Sequence, residues 1–206
     1  MPRHKGDHAA RRRDVSAAVW RVLAANGFGG LTLRAVAAEM GATTGLLTHY
    51  FPNRKTLVSY ALTLLYERNE ARPRPATADG VAALRELLLD ILPATSETAA
   101  ENRIWVGSWD AALADPDLAA GHVARYASSR QRIRDQVEAA QRLGELPASD
   151  PDDVAAAVQS FSLGLIVQAL FGGDEFPPER QIRLLDDYLA TLANHGVPTE
   201  IDPARP

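Results

Sequence analysis

The sequence predicts an all-α protein of about nine helices. Apolar residues make up 46% of the 206-residue chain, which is enough for a sizeable core, and they recur at helical spacing along most of its length. Alanine and leucine, which favour helices, are abundant, whereas residues that favour strands are few. Glycine or proline separates most of the periodic segments. The chain has no cysteine, which excludes disulfides and thiolate chemistry.

The first predicted helix runs from about Ala9 to Asn26 and stops at Gly27, because glycine tolerates the backbone conformation that ends a helix. Its apolar side is formed by Val15, Val19, Val22 and Leu23. The residues before this helix are charged and lack the apolar segment of a secretory signal. They are expected to form a mobile basic arm.

The second and third helices are predicted within the stretch from Leu31 to Leu57. Thr32 can cap the second helix, and Gly41 can adopt the positive φ that ends it. Thr43 or Thr44 can cap the third. Two short helices joined by a glycine turn predict a helix-turn-helix, whose second helix enters the major groove of DNA and reads base edges. Two packed core helices with a chance glycine turn remain the alternative.

The fourth helix is predicted to begin near Arg54, directly after Pro52-Asn53. The stretch from Ala71 to Gly80 is rich in proline and small residues, which is typical of a domain boundary. We therefore expect a helix-turn-helix domain with its basic arm over residues 1–70 and a larger helical domain over residues 71–206.

The second predicted domain holds five helices with apolar residues at core spacing. They run from about Asp79 to Leu92, from about Ala99 to Ala114, from Asp115 to about Leu143, from the Asp150-Pro151 pair onward, and from the Pro177-Pro178 pair onward. Proline is common in the first turn of a helix, which supports the last three starting points.

The two predicted domains differ in charge. The whole chain has a net charge of -4, yet residues 1–68 carry ten basic and four acidic side chains, a net charge of +6. Binding to a polyanion needs positive charge on the contacting face, not a basic protein overall. The asymmetry favours DNA contact through the N-terminal part. A solvated helix start is the alternative explanation for Arg11–Arg13.

The stretch from about Arg11 to Tyr66 resembles the DNA-binding domain of the TetR family, closest to its BetI-type branch. The matching residues are Ala18-Val19, Gly27-Phe28, Leu31-Thr32, Arg34, Val36-Ala37, Gly41, Thr43-Thr44-Gly45 and His49-Tyr50-Phe51-Pro52. A looser resemblance to the C-terminal domain of BetI-type members runs from Arg103 to Phe171. Thr48 and Ala42 depart from the family's commoner residues, so a different preferred DNA sequence is expected.

The resemblance implies a set of DNA-contacting residues on and around the third helix. They are Thr44, Thr48 and His49 toward the bases, Tyr50, Arg54 and Lys55 toward phosphates, Arg34 with the basic arm at the flank, and Thr32, Thr43, Gly45 and Leu46 around them. In such an interface, phosphate contacts set the register and base contacts set the sequence preference.

The last two helices carry more apolar surface than one small domain can bury. A helix that is apolar nearly all round is buried on several sides. A homodimer in which each protomer donates both helices to a four-helix bundle would bury this surface, and the resemblance implies the same assembly. The predicted interface residues are Val158, Leu165, Leu185, Leu189 and Leu192. Packing entirely within one chain is the alternative.

The sequence offers no candidate catalytic residue, metal site or cofactor motif. None of the histidines is paired at metal-ligand spacing, and no glycine-rich phosphate loop is present. Aromatic residues on neighbouring helices indicate a small-molecule pocket instead, which by analogy with the BetI branch would suit a quaternary ammonium. Its candidate lining is Trp105, Trp109, Tyr126, Phe161 and Gln168, each of which could equally belong to the core.

Together these features predict a homodimeric transcriptional regulator that is not an enzyme. We expect it to repress from a palindromic operator and to be released by an unidentified small-molecule effector. An activator, a dimeric interaction module without a ligand and a helical enzyme that retains a helix-turn-helix are the alternatives. The sequence shows no apolar run close to the roughly 20 residues of a membrane span, so a cytoplasmic location without membrane contact is expected.

Overall fold

The computed structural model describes residues 5–71 and 79–196 of the chain. Within these ranges the chain forms ten α-helices and no strand, so the predicted all-α fold is confirmed. The helices are α1 (Lys5–Asn26), α2 (Leu33–Glu39), α3 (Thr44–Tyr50), α4 (Arg54–Glu70), α5 (Gly80–Ile91), α6 (Ser96–Gly107), α7 (Trp109–Ala114), α8 (Pro116–Arg142), α9 (Pro151–Phe171) and α10 (Pro178–His195).

One predicted helix is divided in two by a tight turn at Ser108. The backbone N–H of Ser108 donates to the Trp105 carbonyl at 3.1 Å, and its side-chain Oγ donates to the same oxygen at 2.6 Å. Ser108 is fully buried, so these two bonds supply the hydrogen-bond partner that its polar groups cannot obtain from water. The turn separates α6 from α7 and accounts for ten helices where about nine were predicted.

The first helix begins earlier than predicted. It starts at Lys5 instead of Ala9, so residues 5–8 of the predicted mobile arm are helical. Alanine and arginine dominate the following turns and favour helix, which lets the helix extend toward the N-terminus. Arg3 and His4, the other charged residues of that arm, lie outside the described residues.

The chain divides into two compact units. The first comprises Met1–Pro73 together with Arg103–Leu118, and the second comprises Arg74–Asn102 together with Ala119–Pro206. The grouping of Arg103–Leu118 with the N-terminal helices was not anticipated by the predicted division into residues 1–70 and 71–206. Most of the predicted linker, residues 72–78, lies outside the described ranges.

Contacts along α4 hold the first unit together. The hydroxyls of Tyr60 and of Ser16 on α1 lie 2.6 Å apart. The guanidinium of Arg68 lies over the ring of Trp20 on α1, 4.1 Å from its centroid, in a cation–π arrangement. Further along the chain, the ring of Trp105 on α6 meets the ring of Tyr66 edge-on, with centroids 5.7 Å apart. α4 is therefore attached both to α1 and to the segment 103–118.

The second unit packs α5, α8, α9 and α10 around an aliphatic core. Arg85 on α5 forms a two-pronged ion pair with Asp186 on α10, with nitrogen–oxygen distances of 2.6 and 3.0 Å. This hydrogen-bonded pair lowers the pKa of Asp186 below its usual range. The side-chain amide of Gln159 on α9 donates to the backbone carbonyl of Tyr126 on α8 at 3.0 Å.

The five residues predicted for the dimer interface lie inside this core. Their side chains are at most 4% exposed in the single protomer. These residues are Val158, Leu165, Leu185, Leu189 and Leu192. Because they are already packed within one chain, they offer no surface to a partner, and the predicted residue set must be corrected.

α9 is long and apolar enough, by length and composition, to cross a membrane. The core helix of a globular protein passes the same test, so α9 alone does not indicate membrane contact. Of its most apolar 18-residue window, 39% is buried inside the protomer. Outside the buried face, Phe161, Leu163, Val167 and Leu170 are half-buried and Phe171 is exposed, alongside exposed polar residues such as Ser160 and Gln168.

Candidate nucleic-acid interface

α2 and α3 form a helix-turn-helix whose geometry follows from local sequence. The side chain of Thr32 accepts a hydrogen bond from the Ala35 N–H at 3.1 Å and caps α2. Gly41 has a φ of +62°, which a residue with a side chain rarely adopts, and it turns the chain toward α3. Leu47 is the buried side chain of α3 and holds this helix against α2.

One side of α3 faces solvent. Thr44, Gly45, Thr48 and His49 are exposed, and Thr44 and Thr48 stand one helical turn apart on the same face. The Thr48 hydroxyl donates to the Gly45 carbonyl at 2.9 Å, and its oxygen keeps lone pairs that can accept a hydrogen bond. An exposed helix face with small acceptor and methyl groups fits the major groove, where such groups meet base edges.

A cleft with two guanidinium groups lies beside this face. It has a volume of about 450 Å³ and is lined by Thr32, Leu33, Arg34, Thr44 and Arg54. Its Arg54 Nη2 donates to the Phe28 carbonyl at 3.4 Å, which limits the positions that the guanidinium can take. Arginine side chains and hydroxyls are the groups that hold phosphate oxygens, so the cleft suits a DNA backbone phosphate.

Lys55, the neighbour of Arg54, is paired with two carboxylates. Its Nζ lies 2.7 Å from an oxygen of Asp117 and 2.9 Å from an oxygen of Asp115. The hydrogen bond to Asp117 and, to a smaller extent, the one to Asp115 raise the pKa of Lys55. The bond from Lys55 in turn lowers the pKa of Asp115. Lys55 was predicted to contact phosphate, yet two carboxylates of the protein already pair with its ammonium group. The two aspartates were missed as functional residues, since Asp115-Pro116-Asp117 indicated only a helix start.

The structure brings the other predicted DNA residues onto one surface of the first unit. Thr32, Arg34, Thr43 and Arg54 are exposed around α3, whereas Leu46 and Tyr50 are half-buried. The Tyr50 ring meets the neighbouring His49 ring nearly perpendicularly, with centroids 6.1 Å apart. Their assignment to base or phosphate contacts stays a prediction.

The five candidate ligand residues divide between the two compact units. Trp105 and Trp109 lie in the first unit, and the other three lie in the second. There, the Phe161 ring stacks on the Tyr188 ring of α10 with centroids 4.0 Å apart, while Gln168 is exposed. Phe161 and Gln168 thus lie on the side of α9 away from Gln159, which bonds to the Tyr126 carbonyl, and the predicted ligand lining stays a prediction.

Two aromatic groupings remain. In the first unit, Trp105 packs against Tyr66, and the indole Nε1 of Trp109 is buried without a hydrogen-bond acceptor among the described residues. In the second, the buried His122 ring lies 6.3 Å from the Tyr126 ring, and burial is the main cause that lowers the pKa of His122. A buried N–H without an acceptor is costly, which makes Trp109 the more informative of these residues.

Two family models match the chain. Residues 16–61 match the model described as bacterial regulatory proteins, tetR family, and residues 80–194 match the model described as BetI-type transcriptional repressor, C-terminal. The second match alone covers more than half of the chain.

Individual proteins are similar over most or part of the chain. The HTH-type transcriptional regulator BetI of Paraburkholderia phytofirmans is 23% identical over 188 residues, 89% of this chain and 94% of that protein. The HTH-type transcriptional regulator PksA of Bacillus subtilis is 30% identical over 102 residues, 48% of this chain and only 50% of that protein.

Solved structures share the fold. A transcriptional regulator from Saccharomonospora viridis, crystallised in complex with choline, superposes with a TM-score of 0.79 at 22% identity, covering 88% of this chain and 96% of that one. A transcriptional regulator from Rhodococcus sp. superposes with a TM-score of 0.74 at 23% identity, covering 88% and 95%.

Proposed function

Because the chain belongs to the TetR family and is a transcriptional regulator of BetI type, we propose that it is a homodimeric repressor that a small-molecule ligand releases from a palindromic operator. Regulators of this family are not enzymes, and repression and dimerisation are typical of them. The observation that carries the proposal is the exposed face of α3 beside the two-arginine cleft. Operator DNA lies in the cytoplasm, which is where we place the protein.

In this proposal, the two-arginine cleft and the exposed face of α3 contact different parts of the operator. Arg34 and Arg54 hold phosphates, while Thr44, Thr48 and His49 approach the bases. Selection from random oligonucleotides with purified protein tests this directly. A palindrome with half-sites about 34–36 Å apart, or a multiple of that distance, is the expected product.

Replacing Thr48 by Ala should change base preference at one or two half-site positions, at a cost of about 1–3 kcal/mol for the preferred base. The change removes the hydroxyl and the methyl group of an exposed side chain but leaves the buried Leu47 in place. Repeating the oligonucleotide selection with the variant measures the effect.

The matched control for this experiment is Thr63→Ala. Thr63 is also exposed, and its hydroxyl also donates to a carbonyl within its own helix, that of Ser59 at 3.1 Å. This variant should select the wild-type motif. If Thr48→Ala also selected the wild-type motif, Thr48 would not face the bases.

The outer face of α9 is the surface that we assign to dimerisation. Phe171 is 84% exposed, and the Phe161–Tyr188 stack is only half-buried. Between them Gly164 is exposed, and no atom lies within 4 Å of the position that a Cβ would take. A small residue flanked by aromatic rings permits close approach of the α9 helix of a second protomer. A two-fold contact at this position would cover the exposed ring of Phe171 in both protomers.

The ligand that we propose is a small organic cation, bound near Trp105 and Trp109. The aromatic rings of Tyr66 and Trp105 offer faces for a cation, and the buried Nε1 of Trp109 offers a hydrogen bond to a ligand oxygen. The choline complex of the Saccharomonospora viridis protein supports this class of ligand. Choline has both a quaternary ammonium and a hydroxyl oxygen.

Replacing Trp109 by Phe should weaken choline binding about three- to tenfold, because one neutral hydrogen bond is lost while the aromatic ring is kept. Calorimetric titration measures the affinity. Tetramethylammonium, which lacks the hydroxyl, is the matched control ligand and should bind wild type and variant alike. Equal weakening of both cations would mean that Trp109 acts through its ring alone, and no binding of either would exclude this ligand class.

Release from DNA follows in this proposal from the attachment of α4. A ligand near Trp105 would press on Tyr66 and shift α4, whose N-terminus follows α3 by three residues. The spacing of the two α3 helices in a dimer would then no longer match successive grooves. The ligand would act only through its different affinity for the two arrangements.

A further inference from the structure

The ion pair at Lys55 joins two parts of the chain that are far apart in sequence. Lys55 is the second residue of α4, whereas Asp115 ends α7 and Asp117 lies in the first turn of α8. Asp115 is held in place, since its Oδ1 accepts the Asp117 backbone N–H at 3.0 Å and its side chain is only 22% exposed. It is a fixed negative charge beside the N-terminus of α4.

The neighbouring cation provides a comparison. Arg54 has a backbone carbonyl as its hydrogen-bond partner in the described part of the chain, so its charge is available to DNA. Lys55 carries one positive charge against two negative ones, so its immediate surroundings are net negative. A phosphate that approaches Lys55 therefore competes with carboxylates that occupy two of its three N–H donors, and it must tolerate their charge.

We propose that Asp115 and Asp117 form a latch on Lys55, which DNA phosphate must displace, and that this competition sets the affinity for DNA. The inference rests on the proposed DNA-binding function and adds a mechanism that regulates the affinity for DNA. The latch is a device for keeping non-specific affinity low, because phosphate contacts are the same at every sequence. It also gives the ligand a second route of control, since α7 connects Trp109 directly to Asp115.

The test is a double-mutant cycle measured on DNA. Lys55→Ala, Asp115→Asn with Asp117→Asn, and the triple variant are compared with wild type in full-length protein. Asparagine still caps a helix, so the start of α8 is kept. Fluorescence anisotropy with a random-sequence duplex, over a range of salt concentrations, gives the dissociation constants and the salt slopes.

The Asp115→Asn/Asp117→Asn variant should bind about tenfold tighter at low salt, with a salt slope steeper by roughly 1.8 for a dimer, 0.9 for each new phosphate contact. Lys55→Ala should change binding by less than about twofold in the wild-type background, because the latched lysine contributes little, and should remove the whole gain in the double variant.

The matched control is Asp14→Asn with Asp110→Asn. It neutralises the same number of charges in the first unit, at exposed positions that form no ion pair within the described residues. If it tightened binding as much as the latch variant, or if Lys55→Ala cost the same in both backgrounds, the latch would be overturned. A wild type that binds no duplex at any salt concentration would instead overturn the proposed function, and the latch with it.

Discussion

Replacing Gly164 by Arg is expected to split the dimer and to lower operator affinity about a thousandfold or more. Specific binding exceeds non-specific binding by a factor of about 10³–10⁷, and a single reading helix on a monomer recognises only half of the site. The protomer should stay folded, because no atom lies within 4 Å of a Cβ added at this exposed position and Arg favours helix over Gly by up to about 1 kcal/mol.

Sedimentation gives the oligomeric state, thermal unfolding gives the stability, and anisotropy with the selected operator gives the affinity. Ala148→Arg is the control, since it adds the same charge at an exposed loop position of the second unit. Substitutions at the buried Leu165 or Leu185 could not separate dissociation from unfolding. A Gly164→Arg variant that remains dimeric would move the interface to another surface.

Replacing Arg54 by Ala should weaken binding to all DNA sequences by about a hundredfold. A dimer loses one charged hydrogen bond in each half-site, and each loss lowers the affinity for DNA at least about tenfold. The slope of log affinity against log salt should flatten by roughly 1.8, which corresponds to two released phosphate contacts. Anisotropy on operator and random duplexes at several salt concentrations measures both quantities.

Two further variants make this result specific. Arg54→Lys keeps the charge but not the planar guanidinium, so the slope should stay while affinity falls. Arg142→Ala removes an equal charge from an exposed position at the end of α8 and should leave the slope unchanged. An unchanged slope in Arg54→Ala would contradict the assignment of the cleft to phosphate.

Local signals explain why the helix-turn-helix could be predicted from sequence. The cap at Thr32, the positive φ at Gly41 and the buried Leu47 each depend on residues within one or two turns. The break at Ser108 was not predictable in the same way. Its hydroxyl could equally have faced solvent in a continuous helix. The helix breaks at Ser108 because this residue is buried in the first unit and its hydroxyl bonds to the Trp105 carbonyl.

Long-range packing explains what the sequence could not reveal. Apolar periodicity identified α9 and α10 as core-forming, yet it does not say which apolar face packs inside the protomer and which remains for a partner. Leu185 proved to be internal, while Phe171 is exposed. The carboxylate partners of Lys55 lie in a segment whose sequence indicated only a helix start, and Asp117 is 62 residues away, so no spacing rule connects them to Lys55.

The inclusion of Arg103–Leu118 in the first compact unit has a consequence for engineering. Biosensor chimeras are made by joining the DNA-binding part of one regulator to the sensing part of another. A crossover near residue 71 would separate Tyr66 from Trp105 and Lys55 from its two carboxylates, although all of them belong to one unit. A functional graft from this protein must therefore carry a discontinuous insert, in which α7 and its flanks travel with α1–α4.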